Sequence, residues 1–243
     1  MVKSRYYPPP VREFHVIIPV FGEADLAERS IDSALAQDFL EKKITVCFDQ
    51  VDERRERELC ERYPNGVSFI KSETSRLYAL QNIFRALKFV DKNSIVGIID
   101  GDDELIRDDT FSLIDEAYEK GAGCVWTAHS WDINGVNQSA ALDDSKSPYT
   151  QKWASSHFRT FLKEDLDQVN PANFKDQNNL LFKRTYDQVL MLPILSKVLK
   201  SGRATKYIEK VCYLYRGRTE WGTEGNKYQL DIERFIRQRG YIE

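Results

Sequence analysis

Apolar and polar residues alternate in blocks along the first half of the chain, and these blocks predict a regular succession of strands and helices. Short apolar runs rich in β-branched residues predict strands at residues 14–20, 44–48, 67–70 and 95–99. Apolar residues at helical spacing predict helices between them, at residues 25–39, 52–63 and 75–87. This β-α-β-α-β-α-β order predicts an α/β fold with a parallel sheet, helices on both faces and right-handed crossovers.

The second half of the chain has a less regular pattern. A helix is predicted around residues 111–118 and a strand at 123–128, after which turn signals predict a long irregular segment at 129–149. Further apolar spacing predicts helices at 155–169 and 185–199, a strand at 207–215 and an amphipathic helix at 226–239. We expect the last helix either to pack on the domain or to form the contact of a homodimer.

Acidic residues follow two of the predicted strands. Asp49 ends the second strand, and the fourth leads directly into Asp100, Gly101, Asp102 and Asp103. Ligands of open α/β sheets bind at this end of the strands, and the glycine lets the backbone bend so that two carboxylates converge. Hard oxygen ligands of this kind suit Mg²⁺ or Mn²⁺ that is also held by a substrate phosphate. The alternative interpretation is an acidic turn that caps a helix.

Composition narrows the class of protein. The 243 residues are 42% hydrophobic, enough for one large domain, and 35 basic and 38 acidic residues give a net charge of −3. Mixed charges of this kind predict no nucleic acid partner and no attraction to an anionic membrane. The four cysteines are scattered without a Cys-x-x-Cys motif, which favours free thiols. No signal-like or membrane-spanning run of about 20 apolar residues is present, so we expect a cytoplasmic protein without membrane insertion.

The ordered set of motifs resembles the nucleotide-sugar half of the GT-A glycosyltransferases, in particular the inverting group called family 2. The resemblance rests on the run from Val16 to Phe21, on Asp49, on the helix opening at residues 77–82, and on the run from Ile98 to Asp103. It implies one GT-A domain over residues 1–243. Within this domain, residues 14–128 would be the nucleotide-sugar half, residues 129–216 the acceptor half and residues 217–243 a C-terminal helix. One departure lies in the segment expected to contact the nucleotide base: Phe48-Asp49-Gln50-Val51 stands where the family usually has Asp-Asp-Gly-Ser.

The same resemblance implies roles for individual residues. Asp49 would accept a hydrogen bond from the nucleotide base, with uracil favoured, although a helix-capping aspartate is an equal alternative. Asp100 would bind the ribose hydroxyls and the divalent cation, which Asp102 would hold against the diphosphate. Arg76 would contact a phosphate at a helix N-terminus, or be a solvated surface residue. The donor-binding residues expected on this basis are Pro19, Phe21, Asp49, Arg76, Asp100 and Asp102.

An inverting transfer also requires a carboxylate that takes the proton from the acceptor hydroxyl. The family places it at the start of a helix after the acceptor region, where this chain has Asp187, with Tyr186 in place of the usual Glu. The alternative role for Asp187 is a first-turn carboxylate favoured by the helix dipole. Other carboxylates could act as the base in its place: Glu164, Asp165, Asp167 and Asp176. Arg216 or Arg218 could neutralise the charge of the diphosphate.

Taken together, the resemblance implies a metal-dependent inverting glycosyltransferase. It would move a sugar from a nucleoside diphosphate, with a UDP-sugar such as UDP-glucose favoured, to a hydroxyl of a glycan or glycoprotein. The layout is also similar to the small soluble glycosyltransferases of large algal (chlorella) viruses, which would place the reaction in a host cytoplasm. The alternatives are a non-catalytic sugar-nucleotide-binding module and a phosphatase of the haloacid dehalogenase type, which also has Asp-x-Asp after an apolar strand.

Overall fold

A computed structural model describes residues 12–22, 24–217 and 224–243, and only the backbone of residues 224–226. The strands are β1 (Phe14–Phe21), β2 (Lys42–Asp49), β3 (Val67–Ile70), β4 (Ile95–Ile98), β5 (Glu104–Leu105), β6 (Cys124–Trp131), β7 (Arg159–Leu162) and β8 (Thr205–Tyr215). The α-helices are α1 (Ala27–Leu35), α2 (Glu53–Arg62), α3 (Tyr78–Ala86), α4 (Thr110–Glu119), α5 (Lys163–Asp167), α6 (Tyr186–Lys200) and α7 (Glu224–Arg239). Short 3₁₀ helices lie at Leu87–Phe89, Pro148–Thr150 and Pro171–Phe174.

The eight strands of the described residues form one sheet in the order β3-β2-β1-β4-β7-β6-β8-β5. Strands β1 to β4 pair in parallel, which confirms the parallel sheet predicted for the first half. Because β1 and β2 run in register from Phe14 and Lys42 to Phe21 and Asp49, their carboxyl ends reach the same edge. The carboxyl end of β4 reaches that edge as well, through its pairing with β1. The mostly parallel α/β sheet is the expected GT-A architecture.

Helices cover both faces of the sheet, as predicted. Along β1 the side chains alternate: Val16 and Ile18 point into one apolar cluster and Ile17 into the other. The first cluster is closed by residues of α1, α2 and α4, and the second by residues of α3, α6 and α7. The buried Ile232 and Ile236 place α7 on the second face, so packing accounts for part of its apolar face.

The helix predicted at residues 155–169 is wrong for most of its length. Residues 159–162 form β7, which lies antiparallel between β4 and β6, and only Lys163–Asp167 is helical. The sheet decides the outcome, because β4 and β6 would otherwise be unpaired edges whose backbone groups would be buried without partners. All four residues of β7 are buried, since helices cover the sheet on both faces. The irregular segment also begins later than expected, because β6 extends to Trp131.

Helices α1 and α3 both begin without a side-chain cap from their N-cap residues. Helix α1 begins after Leu26, and Asp25 does not cap it. Helix α3 begins after Leu77, and Ser75 does not cap it. Its first amides bind instead to the carboxylate of Asp49 at the end of β2. Helix α3 is therefore capped by a contact across 28 residues of sequence and not by a local side chain.

Two expectations about the chain as a whole can be compared with the structure. The four cysteines all lie in the described part and are unpaired, as predicted. Among the described residues, no helix combines the length and the apolar character that a membrane span needs.

Candidate active site

A cavity of about 920 Å³ opens at the carboxyl edge of the sheet, where β1, β2 and β4 end. All the residues expected to bind the donor line this one cavity: Pro19, Phe21, Asp49, Arg76, Asp100 and Asp102. They come from three strand ends and from the loop before α3. The parallel pairing brings these separated segments together. Their chemical roles remain predictions, but their convergence is a fact of the fold.

Asp49 has two defined partners inside the cavity. Its Oδ1 accepts a hydrogen bond from the amide of Leu77 at 3.0 Å, and its Oδ2 accepts one from the amide of Tyr78 at 2.8 Å. The carboxylate is therefore a helix-capping group, which was one of the two interpretations of this residue. A carboxylate has about four acceptor positions, so these bonds leave Asp49 able to accept a further N–H from a ligand.

Arg76 lies between two aromatic rings at the rim of the cavity. Its guanidinium carbon is 3.7 Å from the ring centroid of Phe21 and 4.4 Å from that of Tyr78. Phe21 is 44% exposed, a large value for a phenylalanine at the end of a buried strand. Stacking fixes the plane of the guanidinium and leaves its edge available to anions, which suits a cation that contacts phosphate oxygens.

Two side chains from the second half of the chain form hydrogen bonds with the carboxylate of Asp100. Arg159 Nη2 lies 3.2 Å from Asp100 Oδ2, and the hydroxyl of Tyr186 donates a hydrogen bond to Asp100 Oδ1. Arg159 is only 1% exposed. Burial lowers the pKa of this guanidinium, but Tyr186 and the charge of Asp100 outweigh that cost and keep its pKa above the usual value. The first carboxylate of the motif is thus fixed by a buried cation.

The rest of the acidic loop is tied to the end of β8. The hydroxyl of Tyr213 donates a hydrogen bond to Asp103 Oδ2 at 2.8 Å, and the amide of Arg216 donates one to Asp103 Oδ1 at 2.8 Å. Asp103 is fully buried; burial and, next, the charge of Asp100 raise its pKa to about 8. Arg216 also binds the carbonyl oxygen of Asp102 and the carboxylate of Glu104. Asp103 therefore supports the loop.

The carboxylates offer two arrangements to a cation. One ligand atom each from Asp100, Asp103 and His157 lie within 4.8 Å of one another. However, Arg159 Nη2 already lies between Asp100 and His157, 3.2 Å and 3.3 Å from their nearest atoms. His157 is stacked between Tyr213 and Tyr215, each ring centroid 4.8 Å away. In the second arrangement Asp102 acts together with Asp100; both carboxylates line the cavity, which fits a divalent cation better.

The candidate base lies beside the cavity and not in its lining. Tyr186 and Thr185 line the cavity, while Asp187, which is half-buried in the first turn of α6, is not among the described lining residues. Burial raises the pKa of Asp187, and Arg159 acts against that shift. Of the alternatives expected from sequence, Glu164, Asp165, Asp167 and Asp176 are also outside the lining, and Asp165 is ion-paired with Arg203.

Several residues of the site escaped sequence analysis. Asp132, in the segment after β6, lines the cavity, and its carboxylate accepts a hydrogen bond from the amide of Gly217 at 3.2 Å. Lys183 and Arg184 line it just before α6. The only signal for these residues was their position in or near irregular segments, where binding residues concentrate. Arg216 lines the cavity as suggested, whereas Arg218 falls outside the described residues.

The fold and the cavity together define a class of protein. Carboxylates at the carboxyl edge of a mostly parallel, helix-covered sheet, beside stacked aromatic and cationic side chains, are typical of α/β proteins that bind nucleotides. The sequence profile described as "Glycosyl transferase family 2" matches residues 15–189. The chain belongs to this family, which decides against the phosphatase alternative. A search of curated protein sequences finds no significant match.

Solved structures share the fold at low sequence identity. TarS of S. aureus superposes with a TM-score of 0.67 at 16% identity, over 95% of this chain and 40% of TarS. A shorter TarS chain, residues 1–349 in complex with UDP-GlcNAc, gives 0.65 at 18% identity, over 92% of this chain and 65% of that chain. The mannosyltransferase PcManGT from Pyrobaculum calidifontis, with GDP-Man and Mn²⁺, gives 0.57 at 16% identity, over 95% and 63%. This chain thus spans less than two thirds of these relatives.

Proposed function

We propose that this protein is a metal-dependent inverting glycosyltransferase that uses a nucleoside diphosphate sugar, with a UDP-sugar such as UDP-glucose favoured. The observation that carries the proposal is the convergence of all the expected donor-binding residues on one cavity. Family membership supports the reaction class. Among related folds, TarS was solved with UDP-GlcNAc and with UDP, and PcManGT with GDP-Man and Mn²⁺, so both bases occur with this architecture.

The donor would lie with its base toward Asp49 and its diphosphate toward Asp102. Phe21 offers an exposed aromatic face to the base, and Arg76, stacked on Phe21, offers N–H groups to a phosphate. Asp102 and Asp100 would hold Mn²⁺ or Mg²⁺. When bound, such a cation neutralises charge that develops on the departing diphosphate. Lys183, Arg184 and Arg216 add positive charge to the same cavity wall.

Transfer then needs only the acceptor and the base. The acceptor hydroxyl oxygen would attack the anomeric carbon from the face opposite the diphosphate. The bond from that carbon to the diphosphate oxygen breaks, and the hydroxyl proton passes to Asp187, with inversion at the carbon. We propose a hydroxyl of a glycan or glycoprotein as the acceptor, bound in the half formed by residues 129–216.

Calorimetric titration tests the donor half. UDP, GDP, UDP-glucose and GDP-mannose are titrated into the protein with Mn²⁺ and, separately, with a chelator. We expect one nucleotide family to bind in the presence of metal, and Asp102→Ala to abolish that binding. Asp108→Ala is the matched control, because Asp108 is an exposed carboxylate in the next connection, between β5 and α4. No binding of any of the four compounds under either condition would overturn the proposal.

A further inference from the structure

Helix α7 lies beyond the family-matched residues 15–189 and contacts the turn of Asp187 from both sides. Before Asp187, the hydroxyl of Thr185 donates to the carbonyl oxygen of Gln229 at 3.1 Å. After it, the side-chain oxygen of Gln188 accepts a hydrogen bond from Arg237 Nε at 3.0 Å. Gln229 also lines the cavity. The turn that carries the candidate base is therefore attached to α7 at each end.

Arg237 connects this turn to a third segment. Its Nη1 donates to the carbonyl oxygens of Tyr149 at 3.1 Å and Gln151 at 2.7 Å, both in the connection between β6 and β7. Glu233, one turn earlier on α7, lies 3.2 Å from its Nε. The side chain of Arg237 is 17% exposed, and its partner Gln188 is 5% exposed. A largely buried guanidinium with several acceptors fixes direction as well as distance.

We propose that Arg237 is a positioning residue, which holds the first turn of α6 so that Asp187 points toward the acceptor side of the cavity. The inference rests on the proposed function, because it assumes that Asp187 is the base. A base acts only within hydrogen-bond reach of the proton that it takes, so a small displacement of its turn reduces turnover. None of the hydrogen-bond partners of Arg237 among the described residues lines the cavity, so we expect donor binding to be independent of it.

The test compares Gln188→Ala, Arg237→Gln and the double variant with the wild-type chain. Arg234→Gln is the matched control on the same helix, since its guanidinium is 72% exposed and lies 3.5 Å from Asp231. Turnover is followed as release of UDP from UDP-glucose, or of GDP from GDP-mannose if that donor binds, with water as the acceptor. For each protein we measure kcat, the donor KM, the Kd of the nucleoside diphosphate and the melting temperature. Gln188→Ala leaves the bonds from Arg237 to the two carbonyl groups in place, so it isolates the link to the base turn.

We expect kcat to fall by about tenfold to a hundredfold in both single variants, with donor KM and nucleotide Kd unchanged. The double variant should lose no more than the worse single variant, because the two residues form one contact. Arg234→Gln should match the wild type. Unchanged kcat in Gln188→Ala, in an enzyme that Asp187→Asn inactivates, overturns the role of Arg237 alone. Full turnover in Asp187→Asn overturns both this inference and the assignment of the base.

Discussion

The hydroxyl of Tyr186 lies between the two charged groups that meet at the back of the cavity. It donates a hydrogen bond to Oδ1 of Asp100 and accepts one from Nη2 of Arg159 at 3.0 Å. Tyr186 directly precedes the candidate base, and Asp100 is the first carboxylate of the acidic motif. One side chain therefore joins the helix that carries the candidate base to the acidic loop across 86 residues of sequence.

Loss of the Tyr186 hydroxyl should weaken catalysis without unfolding the protein. Tyr186→Phe keeps the ring but removes one hydrogen bond to the charged Asp100, a contact worth about 1.5–3 kcal/mol. We expect kcat/KM for the donor to fall at least about tenfold. Tyr228→Phe is the matched control, because Tyr228 is 50% exposed on α7. Equal kinetics for the two variants would show that the hydroxyl does not orient Asp100.

Replacing the candidate base should separate binding from turnover. Asp187→Asn should abolish sugar transfer and leave the Kd of the nucleotide unchanged, as measured by calorimetry. Asp132→Asn is the comparison, because Asp132 is another carboxylate that lines the cavity. If Asp132→Asn is the inactive one, the base is Asp132. If both variants transfer sugar normally, neither carboxylate is the base; nucleotide binding without turnover in the wild type would instead favour a binding module.

The pH dependence of turnover should reflect the burial of Asp187. Burial raises its pKa above that of an ordinary aspartate, and the base works only when it is ionised. Activity should therefore rise with pH through a limb centred above the usual value of 3.8. A kcat profile from pH 4 to pH 8, measured at saturating donor, checks this. A flat profile down to pH 4 would contradict an essential role for this carboxylate.

Gly101 should not tolerate a side chain. A Cβ at this position would lie 2.7 Å from the carbonyl oxygen of Pro19 and 2.8 Å from Val20 Cγ2, because the acidic loop passes directly over the end of β1. We expect Gly101→Ala to lower the free energy of unfolding by about 1–3 kcal/mol and to weaken nucleotide binding, since Asp100 and Asp102 must move apart from β1. Urea denaturation and calorimetry measure the two effects. A variant with wild-type stability and affinity would contradict the close approach.

Acid should destabilise the protein through its histidines. Burial, and then the charge of Arg159, lower the pKa of His129 to about 4, while an unfolded histidine titrates near 6.5. Below pH 6.5 the unfolded chain takes up a proton that folded His129 refuses, so the free energy of unfolding falls until about pH 4. Each tenfold difference in proton affinity is worth about 1.4 kcal/mol. Urea denaturation at pH 7.5 and pH 5 should show a smaller loss for His129→Gln than for the wild type; equal losses would contradict the prediction.

The local patterns were sufficient for the strand ends of residues 14–128 and insufficient for the contacts of this segment with the rest of the chain. Strand ends that deliver Asp49 and Asp100 could be predicted, because periodicity marks the strands and parallel pairing aligns their ends. The sequence of residues 155–169 favours a helix, since Phe158, Phe161 and Leu162 have helical spacing. Their structure is decided by the neighbouring strands β4 and β6, which both pair with β7. The local sequence pattern carries no information about this pairing.

The contacts of Arg159 and Tyr186 with Asp100 were unpredictable for a similar reason. They join positions 59 and 86 residues apart, and a single sequence carries no signal for such pairings. Asp187 was selected through a family resemblance and Asp132 was not selected at all. The fold alone positions both residues, so the sequence does not show which of them lies closer to the reacting atoms.

The place of β7 in the sheet bears on how the chain can be cut. A fragment ending near residue 128 would contain every strand that delivers the expected donor-binding residues, yet it would lack β7. Strand β4 would then become an exposed apolar edge, which is a template for pairing with other chains. Such a fragment should aggregate during expression, so we expect residues 14–128 and 129–216 to fold as one unit that cannot be divided into exchangeable modules.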